Sequence, residues 1–156
     1  MECTQLPSPL QKLLQQVPYA TIATVGADGK PWCSPVVAFW DAHLTLYWAS
    51  AIGSQHSQNI EGNPAIFVVI YDSGAPLGQG EGLYLQMRAR CLTRRADVAA
   101  GLRIYTDRYG EDTHHTPFWG SCPRRLYEAV PLRTWSNTNS RQDAHFVDAR
   151  RLLAQA

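Results

Sequence analysis

The stretch YATIATVGADGKPWCSPVVAFW, residues 19–40, decides how this chain folds. Tyr19 to Val25, rich in β-branched residues, reads as a strand. Ala27-Asp28-Gly29-Lys30 follows, and Asp-Gly between two such runs is a strong short-range hairpin signal because both positions tolerate positive φ. The reading is a two-residue loop centred on Asp28-Gly29, with Trp32 to Trp40 returning as the second strand. Asp41-Ala42-His43 makes another tight connection, and Leu44 to Ala49 is the third strand of an antiparallel meander.

Before the meander, Pro9 to Gln16 reads as a helix with Leu10, Leu13 and Leu14 on one face. After it, Gly53-Ser54 introduces a helix over Gln55 to Gly62, with Ser54 as its N-cap and Gly62 and Pro64 as its stop. Ala65 to Tyr71 is an apolar strand, and Asp72 to Gly82 is a glycine-rich loop. Leu83 to Thr93 is a long strand, and Asp97 to Tyr109 is an amphipathic helix burying Val98, Leu102 and Tyr105. Gly110 to Pro123 is irregular. Leu126 to Val130 and Leu132 to Ser136 supply the last strands, and Ala144 to Leu153 reads as a terminal helix.

Strands joined mostly by hairpins, with few helices, point to a mainly β fold: a six- to seven-stranded antiparallel barrel, one domain over residues 1–156. A barrel of that size is filled by its own side chains, so a large ligand must sit outside it, against a loop or a second subunit.

Composition narrows the classes of function. A formal charge of +1 argues against a general nucleic-acid surface. The charge is unevenly spread: two basic against six acidic residues precede Arg88, and twelve arginines against seven acids follow from it, an imbalance suited to an anionic ligand. Cys3, Cys33, Cys91 and Cys122 are scattered without metal-ligand spacing, which suits reduced thiols in a cytoplasmic protein. The longest apolar run, Ala65 to Tyr71, is too short to span a membrane. His114-His115 with Cys122 makes a poor metal set, since adjacent histidines rarely chelate one ion. No metal and no nucleophile–base arrangement is expected.

Taken in order, several segments resemble a known family. They are Asp28-Gly29-Lys30-Pro31, Ser34-Pro35-Val36-Val37, Leu46-Tyr47-Trp48-Ala49-Ser50, Gly53-Ser54-Gln55-His56-Ser57-Gln58-Asn59-Ile60 and Asn63-Pro64-Ala65. Together they resemble the FMN-binding split β-barrel proteins related to pyridoxamine 5′-phosphate oxidase. The likeness continues more weakly through Leu83 to Thr93 and Arg133-Thr134-Trp135-Ser136-Asn137.

The resemblance implies a homodimer with FMN at its interface. It assigns the phosphate to Ser50, Ser54, Gln55 and His56, counts Ala49 among the cofactor-binding residues, and lays the ring along the strand carrying Ser34, Pro35, Val36 and Val37. Trp135 and Arg141 would come from the other subunit. The physical reading agrees at one point: a helix N-terminus acts as roughly half a positive charge and favours an anion. His56 in the first turn is placed to donate to a phosphate, and Asn59 lies one turn further on the same face.

Two departures matter. Gln55-His56 stands where the true oxidases commonly carry Arg-Lys, and Ser34 and Phe39 replace the Arg and Lys of the flavin-lining strand. Oxidation of pyridoxamine phosphate itself is therefore not expected, and no residue is named as catalytic. The leading expectation is an FMN-dependent oxidoreductase. The alternatives are a non-enzymatic flavin- or haem-binding dimer and a deazaflavin (F420)-dependent reductase.

Overall fold

The structure, a computed structural model, describes residues 1–77, 79–110, 118–142 and 145–155, leaving aside the side chains of 138–148. In chain order its elements are α1 (Ser8–Gln16), β1 (Tyr19–Val25), β2 (Pro31–Trp40), β3 (Leu46–Ala51) and α2 (Gln55–Gly62). They continue as β4 (Ala65–Tyr71), β5 (Gly82–Cys91), α3 (Arg95–Tyr109), β6 (Arg124–Gln142) and β7 (His145–Gln155). The strands lie in the order β3-β2-β1-β4-β5-β6-β7, all antiparallel, and a further β3–β6 ladder closes six of them into a barrel. The expected barrel is the observed one.

Because successive side chains on a strand point to opposite faces, one set from each strand fills the barrel. Ile22, Trp48, Val68, Leu83, Met87 and Ala129 are fully enclosed there, and α1 lids one end with Leu10, Leu13 and Leu14. The other set faces outward. On β2 it comprises Cys33, Pro35, Val37 and Phe39, of which Phe39 is covered by α3 in a second apolar cluster with Tyr47, Val98, Phe118 and Leu126. Gly101 lets α3 come this close: a Cβ there would stand 2.7 Å from Leu126 Cδ2 and 3.3 Å from Tyr47 Cδ1.

Three local expectations are corrected. The β1–β2 hairpin is not a two-residue loop: Val25 and Pro31 are the last pair, and the Gly29 N–H donates to the Gly26 carbonyl at 2.9 Å. Only Gly29 takes positive φ (77°), while the Asp28 carboxylate accepts the Lys30 backbone N–H and pairs with its ammonium at 2.7 Å. The last strands are one element. β6 runs through Pro131, and its register against β5 slips between Gln86 and Met87, passing over Leu132. A proline lacks the N–H a ladder needs and is accommodated at such a bulge.

The third correction concerns the C-terminus. Ala144 to Leu153, expected to be helical, lie, where described, in strand β7 (His145–Gln155) along the far half of β6. The unpaired backbone of a long β6 offers a ladder, which outweighs the modest helix preference of Ala, Arg and Leu.

Candidate functional site

Four of the residues singled out from the sequence meet at one corner. Ser34 comes from β2, Ser50 from β3, Ser54 from the turn between them and α2, and His56 from the first turn of α2. The His56 ring lies among the three hydroxyls. Its Nε2 is 2.5 Å from Ser50 Oγ and 3.1 Å from Ser54 Oγ, and its Nδ1 is 3.1 Å from Ser34 Oγ. Ser34 Oγ in turn accepts the Trp32 indole N–H at 3.0 Å. His56 is only 9% exposed, and burial pushes its pKa below the ordinary 6.5, so the ring is neutral at neutral pH. Both ring nitrogens are engaged within the corner.

Ser54 occupies the N-cap position, but its hydroxyl does not cap. It donates to the Ala51 carbonyl at 2.9 Å and shares a 2.9 Å contact with the Ser57 hydroxyl. The backbone N–H groups of Gln55, His56 and Ser57 therefore open α2 without a side-chain acceptor among the described residues.

Asn59 does not join this face. It is buried, receives the Gln55 side-chain amide at 2.9 Å and donates to Thr24 Oγ1 at 2.9 Å, fastening α2 to β1. Gln55 itself is exposed beside the corner.

The rest of the β2 set divides by strand parity. Val36 points into the barrel core at 7% exposure, so its side chain is not offered to a ligand. Pro35 and Val37 (46% exposed) face outward. Val37 and half-buried Ala49 border a cavity of about 230 Å³ beneath α3. Pro35 borders a separate groove with Tyr19, Thr21, Val69 and Tyr71.

Trp135 lies in the same outward row as Pro35, through the pairs Pro35–Thr21, Thr21–Val69, Val69–Tyr84 and Tyr84–Trp135. Four ladder steps separate them by about 19 Å along the sheet, so a chain's own Trp135 does not cover its own corner. Its ring sits 6.0 Å from that of Phe67. Arg141 is on β6 opposite Phe146, and its side chain lies outside the described residues, as do His114 and His115.

Trp119 packs half-buried beneath the Arg95 guanidinium at 5.3 Å. Arg90 is held by Glu128 (2.8 Å) and Asp97 (3.3 Å), a structural ion-pair group. All four cysteines are free thiols, and no metal-ligand cluster occurs among the described residues. No helix among them is long and apolar enough to cross a membrane.

Sequence reasoning missed Arg124 and Arg125. They open β6, and the β3–β6 ladder sets Arg125 opposite Ser50 and Arg124 opposite Ala51. The Arg125 guanidinium bonds only to backbone carbonyls, those of Gly120 (2.8 Å), Arg124 (2.9 Å) and Cys122, so its charge is not neutralised by a carboxylate among the described residues. The signal was an arginine doublet at a strand start, but nothing local indicates which strand lies beside it.

Comparison with known proteins agrees with this architecture. The chain is 27% identical over 160 residues to a pyridoxine/pyridoxamine 5′-phosphate oxidase of Burkholderia multivorans, spanning 83% of this chain and 71% of that protein. Among solved structures it resembles HutZ, a heme storage protein of Vibrio cholerae, with a TM-score of 0.64, 17% identity and coverage of 81% and 89% of the two chains. It also resembles an F420 reductase, with a TM-score of 0.60, 23% identity and coverage of 83% and 98%. These structural likenesses establish the fold. The family model for pyridoxamine 5′-phosphate oxidase matches residues 6–135, and the chain belongs to that family.

Proposed function

We propose that this chain is an FMN-binding flavoprotein that works as a homodimeric oxidoreductase. The observation that carries the reading is the Ser34–Ser50–Ser54–His56 corner, set where α2 begins, with Ser34 on the β2 row opposite that of Pro35 and Val37.

The donors at this corner fit a phosphate. Three successive N–H groups at a helix start, with serine hydroxyls beside them, form an anion site. The positive charge that Gln55-His56 does not provide stands one strand away on Arg125, opposite Ser50. His56 holds the serine hydroxyls in place rather than supplying a charge, since burial keeps it neutral. Outward-facing Pro35 and Val37 offer an apolar shelf for a planar ring. Bound FMN would supply hydride or electron-pair transfer, and this chain's residues bind, orient and exclude water.

The outer face of the sheet supports a role for a partner subunit. Tyr19, Val37 and Tyr71 are about half exposed on the outer face that also carries Pro35 and Trp135. A second copy packed there buries them and brings its own Trp135 toward the corner.

Absorbance of the purified protein, before and after equilibration with FMN, tests the cofactor. Protein that stays colourless and binds no FMN overturns the reading. Turnover of reduced flavin with an added acceptor, well above that of free FMN, separates an enzyme from a binding dimer. The neutral Gln55-His56 pair favours a second reading, a haem- or deazaflavin-binding dimer of the same fold, and a Soret band in that spectrum would select haem.

A further inference from the structure

The C-terminal ends of α1 and α3 and the end of β2 border a groove of about 710 Å³, a size that suits a small molecule. It shares no residue with the proposed flavin site. Three charged groups line it: Arg108 and Asp107 of α3, and Asp41 in the turn after β2. We infer that this groove is a binding site for a free basic α-amino acid, its carboxylate on Arg108 and its two ammonium groups on Asp41 and Asp107.

Arg108 is held in place by its own surroundings. Its Nη2 donates to the Leu14 carbonyl at 2.6 Å and to the Val17 carbonyl at 3.4 Å, closing the end of α1. Its guanidinium lies 3.8 Å from the centre of the Trp40 ring and 5.2 Å from that of Tyr109. These contacts leave much of the group uncommitted. Among the described residues its enclosed Nε has no partner, its Nη1 makes no hydrogen bond, and no carboxylate stands within ion-pair distance. A half-buried, pre-oriented guanidinium is a strong partner for a carboxylate, because the bond is charge-assisted and the fork is already fixed.

The two carboxylates are uncommitted as well. Asp41 accepts the His43 and Thr45 backbone N–H groups on Oδ1 at 2.8 and 2.9 Å, and its Oδ2 has no partner among the described residues. Asp107 is exposed and pairs with no cation among them. Opposite charges that face one groove would close into a pair if they were free to move. Here the stack on Trp40 and the bonds to α1 keep Arg108 beyond ion-pair distance of both acids. One cation and two anions held apart complement a ligand with one carboxylate and two ammonium groups, and complementarity of this kind sets specificity. Half-buried Trp40 and Ile104 line the same groove and offer apolar surface for the ligand's methylene stem.

The test titrates the full chain with L-lysine and follows the Trp40 indole and Arg108 side-chain N–H signals by NMR. Lysine should bind with a Kd below about 10 mM and shift both signals. Three analogues each remove one group: cadaverine lacks the carboxylate, norleucine the side-chain ammonium, and Nα-acetyl-lysine a charged α-amine. Loss of the carboxylate should weaken binding about tenfold, and loss of either ammonium at least about threefold. Because Arg108 also closes α1, its part is read from cadaverine rather than from a variant. Asp107→Asn, a substitution at an exposed position, should leave the melting temperature unchanged and weaken lysine at least about threefold. The inference is overturned if lysine does not bind below about 10 mM, if cadaverine or norleucine matches it, or if Asp107→Asn binds it as the wild type does. Nα-acetyl-lysine binding as tightly as lysine overturns it too, in favour of the basic end of a peptide. No arm involves FMN, so the result stands apart from the flavin reading.

Discussion

His56 Nδ1 lies 3.1 Å from Ser34 Oγ, joining the first turn of α2 to the middle of β2 across 22 positions of sequence. With Nε2 on Ser50 and Ser54, the imidazole ties three separate elements together at the proposed phosphate site. A neutral ring suits this task better than a charged one, and burial keeps it neutral.

The sign of the pH dependence follows from this. The folded His56 has a pKa below its unfolded value near 6.5, so the unfolded state binds the proton more readily. Its contribution to stability is complete above that unfolded value and is lost as pH falls through the folded one. Urea unfolding at about pH 8 and about pH 5 should show a loss of stability in the wild type that His56→Gln reduces. Equal pH slopes in the two proteins would count against the buried neutral ring.

Ser54→Asp separates helix stability from anion binding. A carboxylate at the N-cap accepts the free N–H groups and favours the helix dipole, so the melting temperature should hold or rise. The same charge repels a phosphate, and affinity for FMN should fall by about tenfold or more. Fluorescence titration with FMN alongside thermal melts reads both quantities.

Gly101 sets the seat of α3. Gly101→Ala gains about 1 kcal/mol of helix propensity but drives a methyl against Leu126 and Tyr47, an overpacking cost of about 1–3 kcal/mol. The expected net effect is a loss of up to about 2 kcal/mol, measured by denaturant unfolding. A more stable variant would show that α3 shifts freely.

Trp48 stacks on Tyr127 at 5.4 Å in the centre of the barrel, fully enclosed, and its indole N–H has no hydrogen-bond partner among the described residues. Trp48→Ala should cost about 3–5 kcal/mol through the cavity it leaves. Trp48→Phe should cost clearly less, since removing the orphaned N–H returns about 1–3 kcal/mol. Comparable losses in the two variants would mean that the indole N–H is satisfied in solution.

The proposed two-fold face is tested at Tyr19 and Tyr71, which are 56% and 51% exposed on the outer wall. A charge buried without a partner at an interface is strongly unfavourable, so Tyr19→Glu with Tyr71→Glu should shift the protein to a 17.4 kDa monomer and weaken FMN binding with it. Light scattering follows the first effect and flavin titration the second. A dimer unaffected by both charges would place the interface elsewhere.

The sequence by itself determined the elements whose signals are local. Tyr19 to Trp40 fold back at Asp28-Gly29, Gln55 to Gly62 are helical, and Arg88 and Arg90 share one face of β5, because turn, helix and strand signals of this kind are written in neighbouring residues. The C-terminal strand and the bulge past Pro131 were decided by the tertiary structure, since each depends on a ladder partner far away in sequence. The site divides in the same way. Its helix start and serines could be read in order, but the enclosure of His56 by three hydroxyls, the withdrawal of Val36 into the core and the arrival of Arg124 and Arg125 beside β3 required the barrel to close. Closure pairs β3 with β6, and no local pattern in either strand records that pairing.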